Sequence, residues 1–372
     1  MDLKSLKLLN LSETSKQLSR MQATKPTLTY FYPHASTFIL RDLELLSNDY
    51  DVQPYEFSLK IKWQVPFEFL KQLFFLIFKA KGTFFVCHFA GYASLLPVIV
   101  GRLIGKKVFV IVAGNDGSKF MDFRYGNYTK KMLGWATKTS LRYATHIMPV
   151  AQGLVYQDYI YYAGGAPAQG FHFFAPKTKH IPYSVIPYGF DTALFALNQS
   201  ITRKEKSFIT IGNLKDPYCF FRKGFDLILE LAERNPTWNF TIIGWEANDK
   251  QVPKNVQLVP FSPMNVLITY LQEHRYYLQL SVMEGFPNAL GEAMACGCVP
   301  IGSNVSGIPE LIGDTGIVIS KKNVVYLERS IQLLMEQDFT QASLKARARI
   351  EKHFLPIHRL NKMKDVFKQY EA

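Results

Sequence analysis

The 372-residue chain is short of several things, and each shortage removes a class of function. Its four cysteines, Cys87, Cys219, Cys296 and Cys298, form no C-x-x-C pair, which argues against a zinc ribbon and for a reducing compartment. The eight histidines show no H-x3-H or H-E-x-x-H spacing, so no metal centre is expected. A D-x-D triplet, Asp49-Tyr50-Asp51, falls between a helix and a strand, where Asp is an ordinary turn residue. No apolar run approaches the roughly 20 residues of a spanning helix, and Met1 to Lys25 lacks the apolar core of a signal peptide. A soluble or peripheral cytoplasmic protein is expected. Acidic residues are also scarce: 30 Asp plus Glu face 43 Lys plus Arg, and the net charge of +13 favours anionic partners. The basic residues are scattered without an RNP-type, helix-turn-helix or zinc-finger pattern, so nucleic acid is not an expected partner. The turn after the first strand has no G-x-G-x-x-G, which argues against a nicotinamide enzyme.

What is present is alternation. Thr27 to Tyr32, Val52 to Leu59, Thr83 to Phe89, Val108 to Val112 and His146 to Val150 read as strands. Thr37 to Ser47, Val65 to Lys79, Ala93 to Ile104 and Lys131 to Tyr143 read as helices between them. Polar residues dominate from Asp191 to Lys206, and alternation then restarts with strands at Ser207 to Gly212, Trp238 to Gly244 and Val256 to Pro260 and helices at Phe225 to Glu233 and Met264 to Glu273. A length prior of roughly 150 residues per domain agrees with two units. The expected fold class is α/β, with two Rossmann-like doubly wound domains facing a central cleft. Residues 1–190 form the first domain, 191–206 a linker, 207–354 the second domain, and 355–372 a final helix.

The densest information lies at Glu284-Gly-Phe-Pro-Asn-Ala-Leu-Gly-Glu292 and its flanks. Tyr277 to Met283 reads as a strand, Gly285 to Asn288 as a turn, and the helix that follows closes at Gly297 before a strand at Val299 to Gly302. The start of such a helix presents unpaired N–H groups, here near Asn288 and Ala289, and about half a positive charge, so an anion such as a diphosphate fits there. Glu284 lies at the mouth of the loop and Glu292 in the first turns of the helix. As acceptor-only groups they suit the hydroxyls of a sugar and of a ribose.

This Glu-x7-Glu spacing, in the context EGFPNALGEAMACGCVPI, resembles the retaining glycosyltransferases of family 4, which have the GT-B architecture. The resemblance implies a nucleotide-diphosphate sugar as donor and a saccharide or lipid-linked acceptor in cell-surface polysaccharide assembly. It implies no cofactor and no metal, and the leaving diphosphate itself accepting the acceptor's proton, which removes the need for a strong protein base. Glu284 would hold the transferred sugar, Glu292 the ribose, and Phe286, Asn288, Ala289 and Leu290 would form the donor loop. Gly212 ends a strand where the family places an Arg next; here the next residue is Asn213. Lys223-Gly224 fits the family's diphosphate-clamping Lys, and Arg222 beside it supplies a guanidinium in place of the missing one.

Val185-Ile-Pro-Tyr188-Gly-Phe-Asp191 is similar to the family's V-I-P-N-G-V-D hinge, with Tyr188 for Asn. Tyr32-Pro-His-Ala-Ser36-Thr37-Phe38 resembles a subgroup with an F-P-x-x-S-x-T-F first loop. Ser36 or Thr37 would cap the next helix, and the loop would face the cleft toward donor or acceptor. Ala113 stands where many members carry a sugar-contacting His, while Asp116 persists as an acceptor-orienting carboxylate or weak base. The missing contacts at Ala113 and Asn213 support an alternative, a non-catalytic sugar-nucleotide-binding or assembly protein. Phe67 to Lys81, aromatic-rich and bordered by lysines, suits either an interfacial helix on an anionic membrane or a helix packed on a sheet. In the GT-B fold the last helix crosses back to the first domain.

Overall fold

The computed structural model describes residues 25–58, 64–214, 217–245 and 251–371. The polar leader before Lys25 and the expected end of a strand at Leu59 lie outside them.

The first lobe is built on β1 (Thr27–Tyr32), α1 (Thr37–Ser47), β2 (Asp51–Glu56), α2 (Val65–Phe78), β3 (Phe84–His88), α3 (Tyr92–Leu103), β4 (Lys107–Val112), α4 (Lys131–Tyr143) and β5 (His146–Pro149). The strands pair in parallel in the order β2-β1-β3-β4-β5. Every residue of β3 is buried, the two-sided cover that a continuous apolar strand anticipates.

The second lobe runs through β6 (Lys204–Ile211), α5 (Pro217–Arg222), α6 (Phe225–Arg234), β7 (Asn239–Ile243), β8 (Val256–Val259), α7 (Met264–Glu273), β9 (His274–Gln279), α8 (Asn288–Ala295), β10 (Val299–Ser303), α9 (Ile308–Ile312), β11 (Ile317–Ile319), α10 (Val324–Met335) and α11 (Phe339–His353). Its parallel sheet has the order β8-β7-β6-β9-β10-β11. The last helix, α12 (Pro356–Lys368), packs on the first lobe: Phe367 meets Phe84 and Phe109, and Lys364 reaches Asp49 at 2.7 Å.

Two of the boundaries that differ from expectation are informative. The linker is shorter, because Lys204 to Lys206 are the exposed, polar beginning of β6 rather than a connection. Strand β9 ends at Gln279, although the apolar run continues to Met283. There the chain is buried beneath first-lobe tyrosines instead of pairing in the sheet: Tyr161 donates to the Leu280 carbonyl at 3.2 Å and Tyr159 to that of Val282 at 2.6 Å. Periodicity registers burial and is blind to which partner satisfies the backbone.

Burial also sets the ionisation of the interior. Desolvation pushes His146 down to about 4 and His88 to about 3. A neutral buried imidazole has a folded pKa below its unfolded one. The unfolded chain therefore binds the extra proton first, and stability is lost as pH falls from about 6.5 toward the folded value. His146 accepts or donates at Tyr370 and Ser184, both at 3.0 Å. His146→Gln keeps polar atoms in reach of both, so its Tm should decline less steeply than the wild type's between pH 6.5 and about 4. Parallel melting curves with equal slopes would contradict this.

Candidate active site

The loop after β9 brings Glu284 into a built polar setting. Its Oε1 accepts from Lys223 Nζ at 2.5 Å, from Ser281 Oγ at 2.9 Å and from Gln279 Nε2 at 3.1 Å. Lys223 is delivered by the turn between α5 and α6, whose next residue, Gly224, takes φ +76°. A side chain there would overlap the Leu280 carbonyl, so glycine allows the α5–α6 corner to press against the chain entering the Glu284 loop. Lys223 is thus held over Glu284 by backbone packing.

Glu292 lies on α8 and faces the other lobe. Its Oε1 accepts from Arg41 Nη2 on α1 at 2.9 Å. Burial raises its pKa and the Arg41 charge works against that. A cavity of about 350 Å³ opens beside this pair, lined by Phe38, Arg41, Tyr188, Asn288 and Arg359 among others. The Oδ1 of Asn288, at the first residue of α8, is buried without a hydrogen-bond partner. The first N–H groups of α8 have no intrahelical acceptor by the geometry of any helix start. The start of α8, its unmet acceptor and Arg41, the partner of Glu292, therefore meet at a cavity where the lobes face each other.

Several expected site residues stand elsewhere. Phe286 is buried, stacked on Phe190 at 6.2 Å between centroids and packed on Phe354; its side chain belongs to the hinge core. Leu290 is fully buried on the inner face of α8, and only its backbone is available to a ligand. Asp116 is corrected from an acceptor-side base to a loop clip. Fully buried, it accepts from the N–H of Ala90 at 2.9 Å and from those of Ala113 and Gly114 at 3.0 Å each. Burial raises its pKa to about 6, against the lowering effect of those bonds. The clip shapes the Ala113-Gly114 turn, which meets Gly285 so closely that a Cβ on Gly285 would overlap the Ala113 carbonyl oxygen.

Ser36 occupies the N-cap position of α1 but makes no capping bond, and its Oγ is buried without a partner; Thr37 is exposed. Capping is therefore corrected as the reason for Ser36. Gly212 is buried behind Asn213, which is exposed. Arg222 donates to Cys219 Sγ at 2.9 Å and lies 4.6 Å over the Tyr125 ring, so its guanidinium is already engaged. Ala289 is half-buried at the start of α8.

Four participants went unread in the sequence: Arg41, Tyr125, Gln279 and Ser281. Gln279 carried a usable signal, a lone amide inside an apolar run. Arg41 carried none, since one cation on an amphipathic helix looks like any solvated one. Among the described residues no group of three or more His, Cys, Asp and Glu could hold a metal ion, and no helix is long and apolar enough to cross a membrane.

The family described as "Glycosyl transferases group 1" matches residues 198–353. The amylovoran biosynthesis glycosyltransferase AmsK of Erwinia amylovora is 33% identical over 156 residues, covering 36% of this chain and 38% of that protein. One of the subunits of human phosphatidylinositol N-acetylglucosaminyltransferase is 28% identical over 158 residues, covering 39% of this chain and 30% of that protein. The chain thus spans well under half the length of these curated relatives. Whole-chain likeness comes from solved structures. Sucrose-phosphate synthase from Thermosynechococcus elongatus superposes with a TM-score of 0.69 at 13% identity, covering 93% of this chain and 99% of that one. Anabaena HepE in complex with UDP gives 0.69 at 11% identity, covering 93% and 100%. The two-lobed α/β fold is the GT-B architecture of these glycosyltransferases.

Proposed function

We propose that the chain, whose residues 198–353 match the family described as "Glycosyl transferases group 1", is a retaining, metal-independent transferase that moves a sugar from a nucleoside diphosphate sugar to a saccharide or lipid-linked acceptor. Cell-surface polysaccharide assembly is the setting that this acceptor class and the AmsK likeness favour. The observation that carries the proposal is the Lys223–Glu284 pair at 2.5 Å, whose carboxylate sits in the loop that leads four residues later into α8. A diphosphate at that helix start would take backbone N–H bonds and share Lys223 with Glu284. Glu284 would then hold hydroxyls of the transferred sugar, and the second oxygen of Glu292 those of the ribose. Asp116, the carboxylate expected as a base on the acceptor side, is enclosed by amides. That favours the leaving diphosphate as proton acceptor, while the protein contributes position and charge.

HepE was solved with UDP and with UDP-glucose, so uridine diphosphate donors are the first to try. Saturating donor at a hundredfold excess over Kd stabilises by about 2.7 kcal/mol, a readily measured rise in Tm. Lys223→Ala should abolish most of that rise while the unliganded Tm changes little, because the pair it breaks is partly solvated. A rise of equal size in the variant, or none with any nucleotide sugar in the wild type, would overturn the donor assignment.

A further inference from the structure

Helices α2, α3 and α4 lie side by side on one face of the first sheet, opposite the face covered by α1 and α12. Their outer surface reverses the usual pattern. On α2, Leu70, Phe74, Ile77 and Phe78 are 65%, 54%, 60% and 69% exposed. They recur at helical spacing, so they form one stripe on the solvent side. The inner face of α2 packs on the sheet as a sheet-covering helix does, Phe75 meeting Phe31 and Tyr55, but none of the described residues covers the outer stripe. On α4, Trp135 is 53% and Met132 is 63% exposed, set among exposed Lys131, Lys138 and Arg142.

The end of α3 joins the two stripes. Leu103 and Ile104 are exposed there, Arg102 lies 5.5 Å over the Tyr143 ring of α4, and Lys106 Nζ is 3.5 Å from the Ala80 carbonyl just past α2. Charge on this layer is one-sided. Residues 64–81, 92–107 and 130–143 hold ten Lys and Arg and one acid, Glu68, which pairs with Lys71 at 3.6 Å. The whole chain has 43 against 30, so the asymmetry is concentrated here.

We infer that this three-helix layer docks on an anionic lipid bilayer. Phosphate-rich nucleic acid would use the cations but has no use for a Leu-Phe-Ile-Phe stripe. The core of a protein interface is depleted in charge, whereas here lysines are interleaved with the apolar groups. Aromatic and aliphatic side chains beside lysines that can snorkel are what the headgroup–acyl boundary accepts. The surface stands on its own observations; a lipid-linked acceptor delivered from that bilayer rests additionally on the transferase reading.

The test is flotation of the full chain with vesicles of phosphatidylcholine alone and with vesicles also containing phosphatidylglycerol. Binding is expected only to the second, and it should weaken with salt. Each near-surface lysine is worth roughly fivefold in partition, so Lys131→Ala with Lys138→Ala should lower it about 25-fold. Phe74→Ala with Trp135→Ala should lower it on the order of tenfold or more through lost apolar burial. All four positions are exposed, and circular dichroism should confirm folding. Equal binding to both vesicles, no binding to either, or binding unchanged in both variants would overturn the inference, as would retention on an RNA oligonucleotide with no vesicle binding. The Tm rise with nucleotide sugar, measured on the same proteins, is expected to be unchanged. Its absence throughout would indict the donor reading while leaving the membrane result intact.

Discussion

Glu284→Gln is expected to lower kcat on the order of a thousandfold, the size seen when a preorganised charge or donor at a reacting centre is removed. The substitution keeps the shape of the side chain and its contact with Ser281 at 2.9 Å. On the proposed donor mode it would delete one negative charge near a sugar that becomes electron-poor as the diphosphate departs, so the loss should fall on the transition state more than on the bound donor. It also leaves Lys223 without the carboxylate that now holds it, which concentrates the lysine on the diphosphate. Donor affinity, read by thermal shift, should therefore be retained. Glu292→Gln makes the complementary case. A carboxylate gripping ribose acts on ground state and transition state alike, so KM should rise while kcat changes little. The assay is nucleotide release coupled to sugar transfer. A Glu284→Gln enzyme within threefold of wild type would end the assignment of Glu284, and equal background rates for wild type and both variants would favour the non-catalytic, sugar-nucleotide-binding alternative.

These expectations rest on residues that differ in how readable they were. The helix start at Asn288 and its end before Gly297 follow from local chemistry: a Pro-containing turn on one side and a glycine at φ +87° on the other. Glu284, Glu292 and Lys223 were legible because their backbone contexts are unusual, Gly and Pro in one place and Lys-Gly in another. Phe286 and Leu290 show the limit of that method. A motif marks which stretch of backbone approaches a ligand but not which way each side chain turns, and here both side chains turn into the core. Asp116 fails for a related reason. A loop Asp after a strand satisfies either a substrate or the turn's own N–H groups, and only coordinates show three amides already on it. Arg41 and the tyrosines at 159 and 161 act across the lobes, where sequence separation exceeds any local pattern.

Arg359→Met is expected to destabilise the protein by about 3–5 kcal/mol, the usual loss when one partner of a buried ion pair is removed. Arg359 and Asp42 are 4% and 2% exposed, and the guanidinium meets both carboxylate oxygens at 2.6 Å. The same arginine donates to the Ile186 carbonyl at 2.7 Å and lies 4.6 Å over Tyr188, so the last helix is tied at once to α1 and to the hinge. Asp42 also accepts from Tyr30 at 3.1 Å, Tyr30 contacts His88 Nδ1 at 2.8 Å, and His88 Nε2 contacts Tyr188 at 3.0 Å. Burial keeps His88 neutral, with its pKa pushed down to about 3, so its 3.7 Å approach to Asp42 adds no second ion pair and Arg359 alone balances the carboxylate. The largely exposed pair Lys204–Glu273 at 2.9 Å serves as the contrast: its loss should change stability by no more than about 1 kcal/mol. Arg359→Met should lower Tm on the order of 10 °C, and adding Asp42→Leu should restore part of that by removing the stranded charge, while Tyr30 and the Ile186 carbonyl stay short of a partner. Denaturant and thermal melts of the two single variants and the double variant measure the coupling. A double variant no better than Arg359→Met alone would mean that the stranded carboxylate is not the source of the loss, and that the last helix is held on the first sheet by packing of Phe367 against Phe84 and Phe109 instead.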